Sequence, residues 1–198
     1  MRLRTLEMKL ERVMGIPDPD PAKEQYMTPA PLAARLLFDA CLAGDIEGCS
    51  VCDLGSGTGI LGIGAALLGA ERVVGIEEDE RLVTLAQENM MLLSVDCTFI
   101  TGDVSLTLEP CDTVVMNPPF GAQTVHADRP FIDAALSIAP VVYGIFNAGT
   151  IPFLTSYIKG RGVISGAVSA SFPMKRMFSF HRQDIRNIPV EIVCLRRI

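Results

Sequence analysis

Residues 51–60, Val-Cys-Asp-Leu-Gly-Ser-Gly-Thr-Gly-Ile, place a glycine-rich turn directly after a short apolar strand. Glycine permits a tight turn and lets the N-terminus of the next helix approach a bound ligand closely. A G-x-G-x-x-G pattern begins at Gly57, as in dinucleotide-binding proteins, but the glycine nearest to the strand is Gly55, and the sixth position counted from it is Ile60. The spacing therefore favours a nucleoside site without a pyrophosphate.

Short apolar segments alternate with helical patterns on both sides of this turn. Continuous apolar strands separated by helices indicate a parallel sheet that is covered on both faces, and no helix separates the last two strands. We therefore expect a doubly wound, Rossmann-like α/β fold with a seven-stranded, mostly parallel sheet and an antiparallel last strand. The predicted strands are 51–54, 72–76, 98–100, 113–116, 141–146, 163–168 and 190–195.

The helical patterns and the segments between them predict one domain. Thr28 is the predicted N-cap of the second helix, with Pro29 at its first position, and the three prolines of residues 15–21 predict an extended arm before it. We expect a single domain over 1–198, with an N-terminal helix and arm in 1–28 and the core in 29–198. The predicted helices are 2–14, 29–42, 60–68, 79–93, 131–139 and 151–159.

The composition excludes several classes of protein. The chain has 198 residues, of which 49% are hydrophobic and 20% charged, and so apolar a chain is not intrinsically disordered. No apolar run reaches the roughly 18 residues of a membrane span, and the mixed charges of residues 1–12 do not fit a signal peptide. The six cysteines include one CxxC pair without a nearby histidine, which predicts reduced thiols and no metal site. We expect a cytoplasmic protein with no membrane contact.

Charge is distributed unevenly along the chain. Residues 1–158 contain 9 basic and 21 acidic side chains, a net charge of −12, whereas residues 159–198 contain 8 and 2, a net charge of +6. A basic end on an acidic body indicates either a surface that faces a polyanion or a solvated face. Lys175, Arg176 and Arg182 lie there with phenylalanines interleaved, a combination that suits phosphates and unpaired RNA bases.

Acidic side chains follow the second and third predicted strands. Glu77 ends the segment Val-Val-Gly-Ile-Glu, at a strand tip where a carboxylate can accept hydrogen bonds from both hydroxyls of a ribose. Asp103 lies just beyond the third strand, where its carboxylate can accept from the amine of a cofactor's adenine while Val104 contacts the ring. These positions are in register with the glycine turn and predict the same nucleoside site.

Asn117-Pro118-Pro119-Phe120 directly follows the fourth strand. The Asn117 amide oxygen and the Pro118 carbonyl are two acceptors aimed at one amine, and the prolines stiffen the turn because their φ angles are fixed near −65°. An amine conjugated to a base is a poor nucleophile; accepting both of its hydrogens localises the lone pair. Phe120 can stack on a flipped base. We predict that these four residues are catalytic.

With Glu24-Gln25-Tyr26-Met27-Thr28 and Phe180-His181, these motifs resemble the archaeal and eukaryotic small-subunit rRNA adenine-N6 methyltransferases, a class I family, over about residues 20–198. The resemblance implies S-adenosyl-L-methionine (SAM) as cofactor and an adenine of rRNA as substrate. It also implies that Gln25 and Thr28 close over the methionine end of SAM and that Phe180 and His181 belong to the RNA-binding end. The implied cofactor-binding residues are Gln25, Thr28, Asp53, Gly55, Gly57, Thr58, Gly59, Ile60, Glu77, Asp103 and Val104.

The resemblance further implies a partner, since members of this family act with a small zinc-binding activator protein that pairs with the edge of the sheet. The third strand is an edge in such sheets, and residues 90–100 are strongly apolar, so we expect a partner to cover them. Alternatively, residues 90–93 complete a buried helix face. Glu77 replaces an aspartate of the relatives, a change that preserves the carboxylate.

Four alternative functions remain open at this point. The Asn-Pro-Pro platform also serves N5-glutamine protein methyltransferases and DNA adenine methyltransferases. A NAD-dependent oxidoreductase would explain the glycine turn and Glu77 but would leave the four residues from Asn117 to Phe120 unused. An inactive RNA-binding scaffold would retain the basic end alone.

Overall fold

A seven-stranded sheet with helices on both faces forms the fold. The computed structural model describes residues 1–17, 19–20, 26–105, 109–120, 126–175 and 185–198. The helices of these residues are α1 (Leu3–Leu10), α2 (Ala30–Leu42), α3 (Ile60–Leu67), α4 (Glu80–Leu93), α5 (Arg129–Ile138) and α6 (Ile151–Tyr157). The strands are β1 (Ser50–Leu54), β2 (Arg72–Glu77), β3 (Thr98–Thr101), β4 (Thr113–Met116), β5 (Val141–Asn147), β6 (Gly162–Lys175) and β7 (Ile185–Arg197).

The strand order across the sheet is β3-β2-β1-β4-β5-β7-β6. Strands β1 to β5 pair in parallel, whereas β7 runs antiparallel to both of its neighbours. From β1 the chain adds β2 and β3 on one side, and it then returns to add β4 and β5 on the other side of β1. Ligands of doubly wound sheets bind at such a switch point, outside the carboxyl ends of the strands. The predicted fold is confirmed, and its switch point lies between the glycine turn and Asn117.

Two apolar clusters, one on each face, hold the sheet. The first joins α1, α2, α3 and α4 to the sheet, and the second joins α5 and α6 to it. Side chains of β7 alternate between the two: Val190 and Ile192 pack in the first cluster, Val193 in the second. This period of two is what a strand covered on both faces requires.

The N-terminus of α2 differs from the prediction. Pro29 occupies the N-cap position, no side chain caps the helix, and Ala30 is the first helical residue. Thr28 as N-cap is therefore wrong, because its hydroxyl is engaged by Asn117 instead. The first helix also ends earlier than predicted, at Leu10.

The β6–β7 hairpin is longer than the predicted strands 163–168 and 190–195. It pairs Gly162 with Arg197 at one end and Lys175 with Ile185 at the other. The sequence pattern did not predict this length because small residues and Pro173 interrupt the apolar pattern of the strand. Pro173 is tolerated because β6 is an edge strand, where a missing N–H leaves no ladder bond unmade.

Further properties of the described residues concern membrane spans, cysteine pairing and metal ions. No helix among them is both long and apolar enough to cross a membrane. All six cysteines are free, and no group of three His, Cys, Asp or Glu side chains in the described part of the chain is placed to hold a metal ion.

Candidate active site

The glycine turn is fastened to the end of β2 and leaves open space above it. The N–H groups of Gly55 and Ser56 both donate to the carbonyl of Ile76, at 2.9 Å each. Gly55 has φ +68°, and a Cβ there would lie 2.7 Å from the Phe131 ring. Gly57 also has a positive φ, +52°, but a Cβ on it would meet nothing within 4 Å. The backbone at Gly57 is therefore accessible to a ligand.

Glu77 at the end of β2 holds this turn through its carboxylate. Oε2 accepts from the Gly57 N–H at 2.9 Å and Oε1 from the Asp79 N–H at 3.1 Å. Burial raises the pKa of Glu77, the two N–H groups oppose the rise, and the charges of Glu78 and Asp79 add to it. Each carboxylate oxygen has a second lone pair, so the group can still accept from two ribose hydroxyls.

Asp53, the next-to-last residue of β1, links this strand to the helix that follows the glycine turn. It is buried, and its Oδ2 accepts from the Gly62 N–H in the first turn of α3 at 2.8 Å. Burial raises the pKa of Asp53 to about 7, although the Gly62 bond lowers it and the Glu77 charge adds to the rise. A direct contact of Asp53 with a cofactor stays a prediction.

The raised pKa of Asp53 predicts a pH-dependent stability. The ordinary pKa of an aspartate carboxyl is 3.8, whereas the pKa of Asp53 in the folded protein is about 7, so the folded protein binds the proton more tightly and stability falls as pH rises from about 4 to 7. Between pH 5 and 7.5, the unfolding free energy of the wild type should fall relative to Asp53→Asn by about 1 kcal/mol per pH unit. Denaturant unfolding of both proteins across this range measures it; parallel curves would show that Asp53 does not titrate there.

Asp103 and Val104 follow β3, as predicted, and the end of β3 pairs with the end of β2. The Gly102 N–H donates to the Glu77 carbonyl at 2.9 Å. Asp103 is exposed, and hydrogen bonds from Ser105 hold the pKa of its carboxyl below the ordinary value. Val104 is buried in the second apolar cluster. Recognition of an adenine by Asp103 and Val104 stays a prediction.

The loop after β4 presents an amide oxygen that has no hydrogen-bond partner among the residues that the structure describes. Asn117 Nδ2 donates to Thr28 Oγ1 at 2.9 Å, while Asn117 Oδ1 is buried and accepts no hydrogen bond from the described residues. Leaving a buried acceptor unpaired costs about 1–3 kcal/mol. A buried polar group that stays unpaired in this way is often functional.

The far end of this loop is anchored twice. The Phe120 carbonyl accepts from Asn147 Nδ2 at 3.3 Å, at the end of β5. The Phe120 ring meets the Phe172 ring edge to face, with centroids 5.7 Å apart and an interplanar angle of 85°. Pro118 is buried, whereas Pro119 and Phe120 are half-buried. Residues 117–120 are thus held at both ends, and part of Phe120 is accessible.

The donor and acceptor set fits a nucleoside cofactor between the two loops. Five buried side-chain polar atoms of the described residues lack a hydrogen bond. Three of them belong to the glycine turn and the loop after β4: Ser56 Oγ, Thr58 Oγ1 and Asn117 Oδ1. The glycine turn follows β1 and Asn117 follows β4, the two strands that flank the switch point, and beside them the Gly57 backbone is open and Glu77 keeps free lone pairs.

Asn89 and Asn147 are residues that the sequence reasoning missed. Asn89, fully buried on α4, donates from Nδ2 to the carbonyls of Thr58 at 3.0 Å and Met14 at 3.1 Å, and its Oδ1 accepts from the Met14 N–H at 2.8 Å. It therefore ties the glycine turn to the segment that follows α1. The available signal was a polar residue on the apolar face of α4; for Asn147, no local signal points to Phe120.

Several predicted site residues fall outside the described residues. Gln25 of the arm is one, and Arg176, Phe180, His181 and Arg182 of the basic end are the others. Lys175 is described as the last residue of β6, by its backbone alone. Their predicted roles stay predictions.

Known proteins share both the sequence and the fold. Residues 32–138 match the family model described as methyltransferase small domain. The rRNA N(6)-adenosine-methyltransferase Mettl5 of Drosophila melanogaster is 34% identical over 96% of this chain and 94% of its own length, and the corresponding Danio rerio protein is 29% identical over 98% of both. The crystal structure of a candidate RNA methyltransferase from Pyrococcus horikoshii superposes with a TM-score of 0.92 and 37% identity, over 100% of this chain and 98% of that one.

The matches to the two rRNA methyltransferases and to the Pyrococcus structure cover 96–100% of this chain. The family model alone spans the glycine turn, Glu77 and Asn117. The chain therefore belongs to the small-domain methyltransferases and, within them, to the rRNA N6-adenosine methyltransferase family.

Proposed function

We propose that this protein transfers the methyl group of SAM to the exocyclic N6 amine of an adenosine in rRNA, most simply the small-subunit rRNA. The observation that carries the proposal is the buried Oδ1 of Asn117, which has no hydrogen-bond partner in the described part of the chain and lies in a stiff loop beside an open nucleoside site. Family membership removes the oxidoreductase alternative, which left this loop without a role. The cofactor is SAM.

We assign the cofactor site to the turn after β1, the end of β2 and the residues after β3. Glu77 accepts from the ribose hydroxyls, and Asp103 and Val104 recognise the adenine. The residues assigned to SAM are Gln25, Thr28, Asp53, Gly55, Gly57, Thr58, Gly59, Ile60, Glu77, Asp103 and Val104.

The catalytic loop acts on the amine of the target base. When bound, SAM supplies an electrophilic methyl group on a sulfonium. Asn117 Oδ1 accepts one N6 hydrogen and the Pro118 carbonyl the other, which turns the nitrogen lone pair toward the methyl carbon. The N–C bond forms as the C–S bond breaks, and the surplus N6 proton leaves to solvent, so no strong base is required. Phe120 stacks on the flipped adenine, a contact worth roughly 1–3 kcal/mol.

Incubation with labelled SAM and purified small-subunit rRNA tests this function. The RNA is digested to nucleosides and the label is identified by mass spectrometry; N6-methyladenosine is the expected product. Parallel incubations supply protein extract or DNA in place of the rRNA: label on a protein glutamine would instead support the N5-glutamine alternative, and label on DNA the DNA adenine alternative. Absence of any transfer, with SAM bound, would indicate an inactive scaffold.

The basic end is proposed to bind the RNA, through Lys175, Arg176, Phe180, His181 and Arg182. Replacing the three cations by glutamine should weaken RNA binding and reduce the slope of log affinity against log salt by about 2, because each phosphate contact on a single strand contributes about 0.7. Filter binding at several salt concentrations measures the slope. The matched control replaces Arg2, Arg4 and Lys9; an equal flattening there would place the RNA elsewhere.

A small zinc-binding activator is proposed to pair with β3. This strand is a sheet edge, and beside it Met91 is 64%, Leu92 43% and Ile100 39% exposed. An uncovered apolar edge is a pairing hazard that a partner would remove. Expression with and without such a partner tests this; equal solubility and activity of the isolated protein would count against it.

A cytoplasmic location stays a prediction.

A further inference from the structure

The positive charge of the last forty residues is divided between the two ends of the β6–β7 hairpin. Lys175 ends β6, whereas Lys159 and Arg161 precede its first residue, Gly162. Arg197 pairs with Gly162 at that same end. Because β6 has 14 residues and a strand rises about 3.3 Å per residue, its two ends lie on the order of 40 Å apart. Lys159, Arg161 and Arg197 therefore cannot contact the same nucleotide as the cations beyond Lys175.

Three arginines lie along helix α5, at its beginning, its middle and its end. Arg129 is the first residue of α5. Arg161 Nη1 donates to Asp133 Oδ1 at 2.6 Å, and Arg197 Nη1 donates to the carbonyl of Ser137 at 3.0 Å. The helix has 10 residues and is therefore about 15 Å long. Cations spread over this length can face more than one phosphate group of a nucleic acid strand.

Two of these guanidinium groups are held against aromatic rings. Arg129 lies 5.4 Å from the ring centroids of both Phe153 and Tyr157, and Arg161 lies 5.1 Å from that of Tyr157. The two rings stack on each other, with centroids 5.3 Å apart and an interplanar angle of 25°. Cation–π contacts of this kind restrict the arginine side chains. Side chains that are already ordered lose less entropy when they bind a ligand.

Arg129 has no ion-pair partner in the part of the chain that the structure describes. Its Nε is buried and forms no hydrogen bond there. The dipole of α5 opposes a cation at the first helical residue, so the helix itself gains nothing from this charge. The carboxylate one turn further along, Asp133, is engaged by Arg161 and by the Tyr157 hydroxyl, at 2.8 Å. The charge of Arg129 is therefore free to attract an anion.

This part of the surface differs in charge from the rest of the body. Residues 1–125 contain 8 basic and 19 acidic side chains, a net charge of −11, whereas residues 126–161 contain 3 and 2, a net charge of +1. Lys159, Arg161 and Arg197 are exposed. An acidic protein repels a polyanion over most of its surface, so a local group of cations determines where a polyanion binds.

The beginning of α5 lies beside the candidate active site. The helix follows the loop that contains Asn117 and Phe120. In its first turn, Phe131 packs against the glycine turn so closely that a Cβ on Gly55 would lie 2.7 Å from its ring. A strand of RNA whose target base enters the site therefore passes near Arg129.

We propose that Arg129, Lys159, Arg161 and Arg197 form a second RNA-binding surface, the α5 basic surface, which binds phosphate groups of the substrate RNA. The inference rests on the proposed function, because it takes rRNA as the substrate. It goes beyond that function by adding a contact that is separate from the basic end at residues 175–182. The substrate then contacts the protein at two places, which favours a large structured RNA over a short single strand.

Arg129→Gln combined with Lys159→Gln tests the α5 basic surface, because neither side chain forms an ion pair among the described residues. The slope of log affinity for small-subunit rRNA against log salt should fall by about 1.5, since each phosphate contact contributes about 0.7–0.9. The Kd at physiological salt should rise about fivefold. Filter binding without SAM measures both quantities. A slope equal to that of the wild type would overturn the proposal.

Two matched variants exclude other causes. Arg2→Gln with Arg4→Gln removes the same charge from exposed positions at the beginning of α1 and should change the slope by less than about 0.3; an equal fall there would show that net charge alone is responsible. Arg129→Lys with Lys159→Arg keeps both charges and should keep the slope as well. A fall in this second variant would mean that packing of Arg129 on the rings matters and its charge does not, which would also overturn the proposal.

Combination with the substitutions at the basic end tests whether the two surfaces act separately. Sites on the order of 40 Å apart should contribute additively, so Arg129→Gln with Lys159→Gln should lower the slope further when added to glutamine at Lys175, Arg176 and Arg182. No further fall would place the α5 basic surface outside the complex and refute it. The binding assay registers no methyl transfer, so the expected slopes without N6-methyladenosine would contradict the proposed reaction alone. Formation of N6-methyladenosine with an unchanged slope would contradict the α5 basic surface alone.

Discussion

Asn117→Ala should lower kcat for methyl transfer at least a hundredfold and leave the Kd for SAM within about threefold. Among residues 117–120, Asn117 alone carries a side-chain acceptor, and truncating this side chain leaves both prolines in place. An interaction that strengthens as charge develops on the amine affects kcat, whereas uniform binding affects KM. Single-turnover transfer to rRNA and calorimetric titration with SAM measure the two quantities.

Stability provides the internal control for Asn117→Ala. The substitution removes the bond to Thr28, but it also removes an unpaired buried oxygen, and these effects oppose each other. The free energy of unfolding should therefore change by no more than about 1 kcal/mol. Asn187→Ala, the same change at an exposed position of β7, should leave kcat within twofold. Full methyl transfer by Asn117→Ala would end the proposed mechanism.

Sequence reasoning located the parts of the site that are encoded locally. The glycine turn and Glu77 each follow directly on an apolar strand, and parallel strands bring their carboxyl ends to one edge of the sheet. Asn117 was found for the same reason, as the first residue after β4. Strand adjacency, once the doubly wound order is assumed, therefore sufficed to bring these three together.

The connections between the parts were not predictable. Asn89 reaches the Thr58 carbonyl from 31 positions away, and Asn147 reaches Phe120 from 27. Such bonds depend on side-chain direction after packing, which a pattern of apolar residues does not specify. Thr28 illustrates the error that follows: a threonine before a helix favours the N-cap, but its hydroxyl was needed elsewhere.

The hairpin of β6 and β7 shows a second limit. Strand length was underestimated because the missed part of β6, residues 169–175, contains small residues and Pro173, which interrupt the apolar pattern. Strand propensity and burial give a weak signal there, and the pairing itself stabilises the strand. Helices α3 and α4, by contrast, were predicted to within two residues because their buried faces are continuous.

Glu77→Gln should raise the Kd for SAM about a hundredfold. Each oxygen of the carboxylate accepts a backbone N–H, from Gly57 and from Asp79, so a glutamine amide must turn an NH₂ toward one of them. The neutral amide also loses the charge that strengthens hydrogen bonds from two ribose hydroxyls, and bonds to a charged group contribute about 1.5–3 kcal/mol each. Calorimetry with SAM measures the change.

Two comparisons isolate the cause of this loss. Glu71→Gln makes the same substitution at an exposed position before the opposite end of β2, and it should leave the Kd within twofold. Removing a hydroxyl from the ligand tests the contact directly. The 2′-deoxy analogue of S-adenosyl-L-homocysteine should bind the wild type about tenfold more weakly than the parent compound does. Glu77→Gln should bind the two compounds with almost equal affinity. If the analogue lost as much affinity in the variant as in the wild type, the ribose would be held by another group, and Glu77 would serve only to shape the glycine turn.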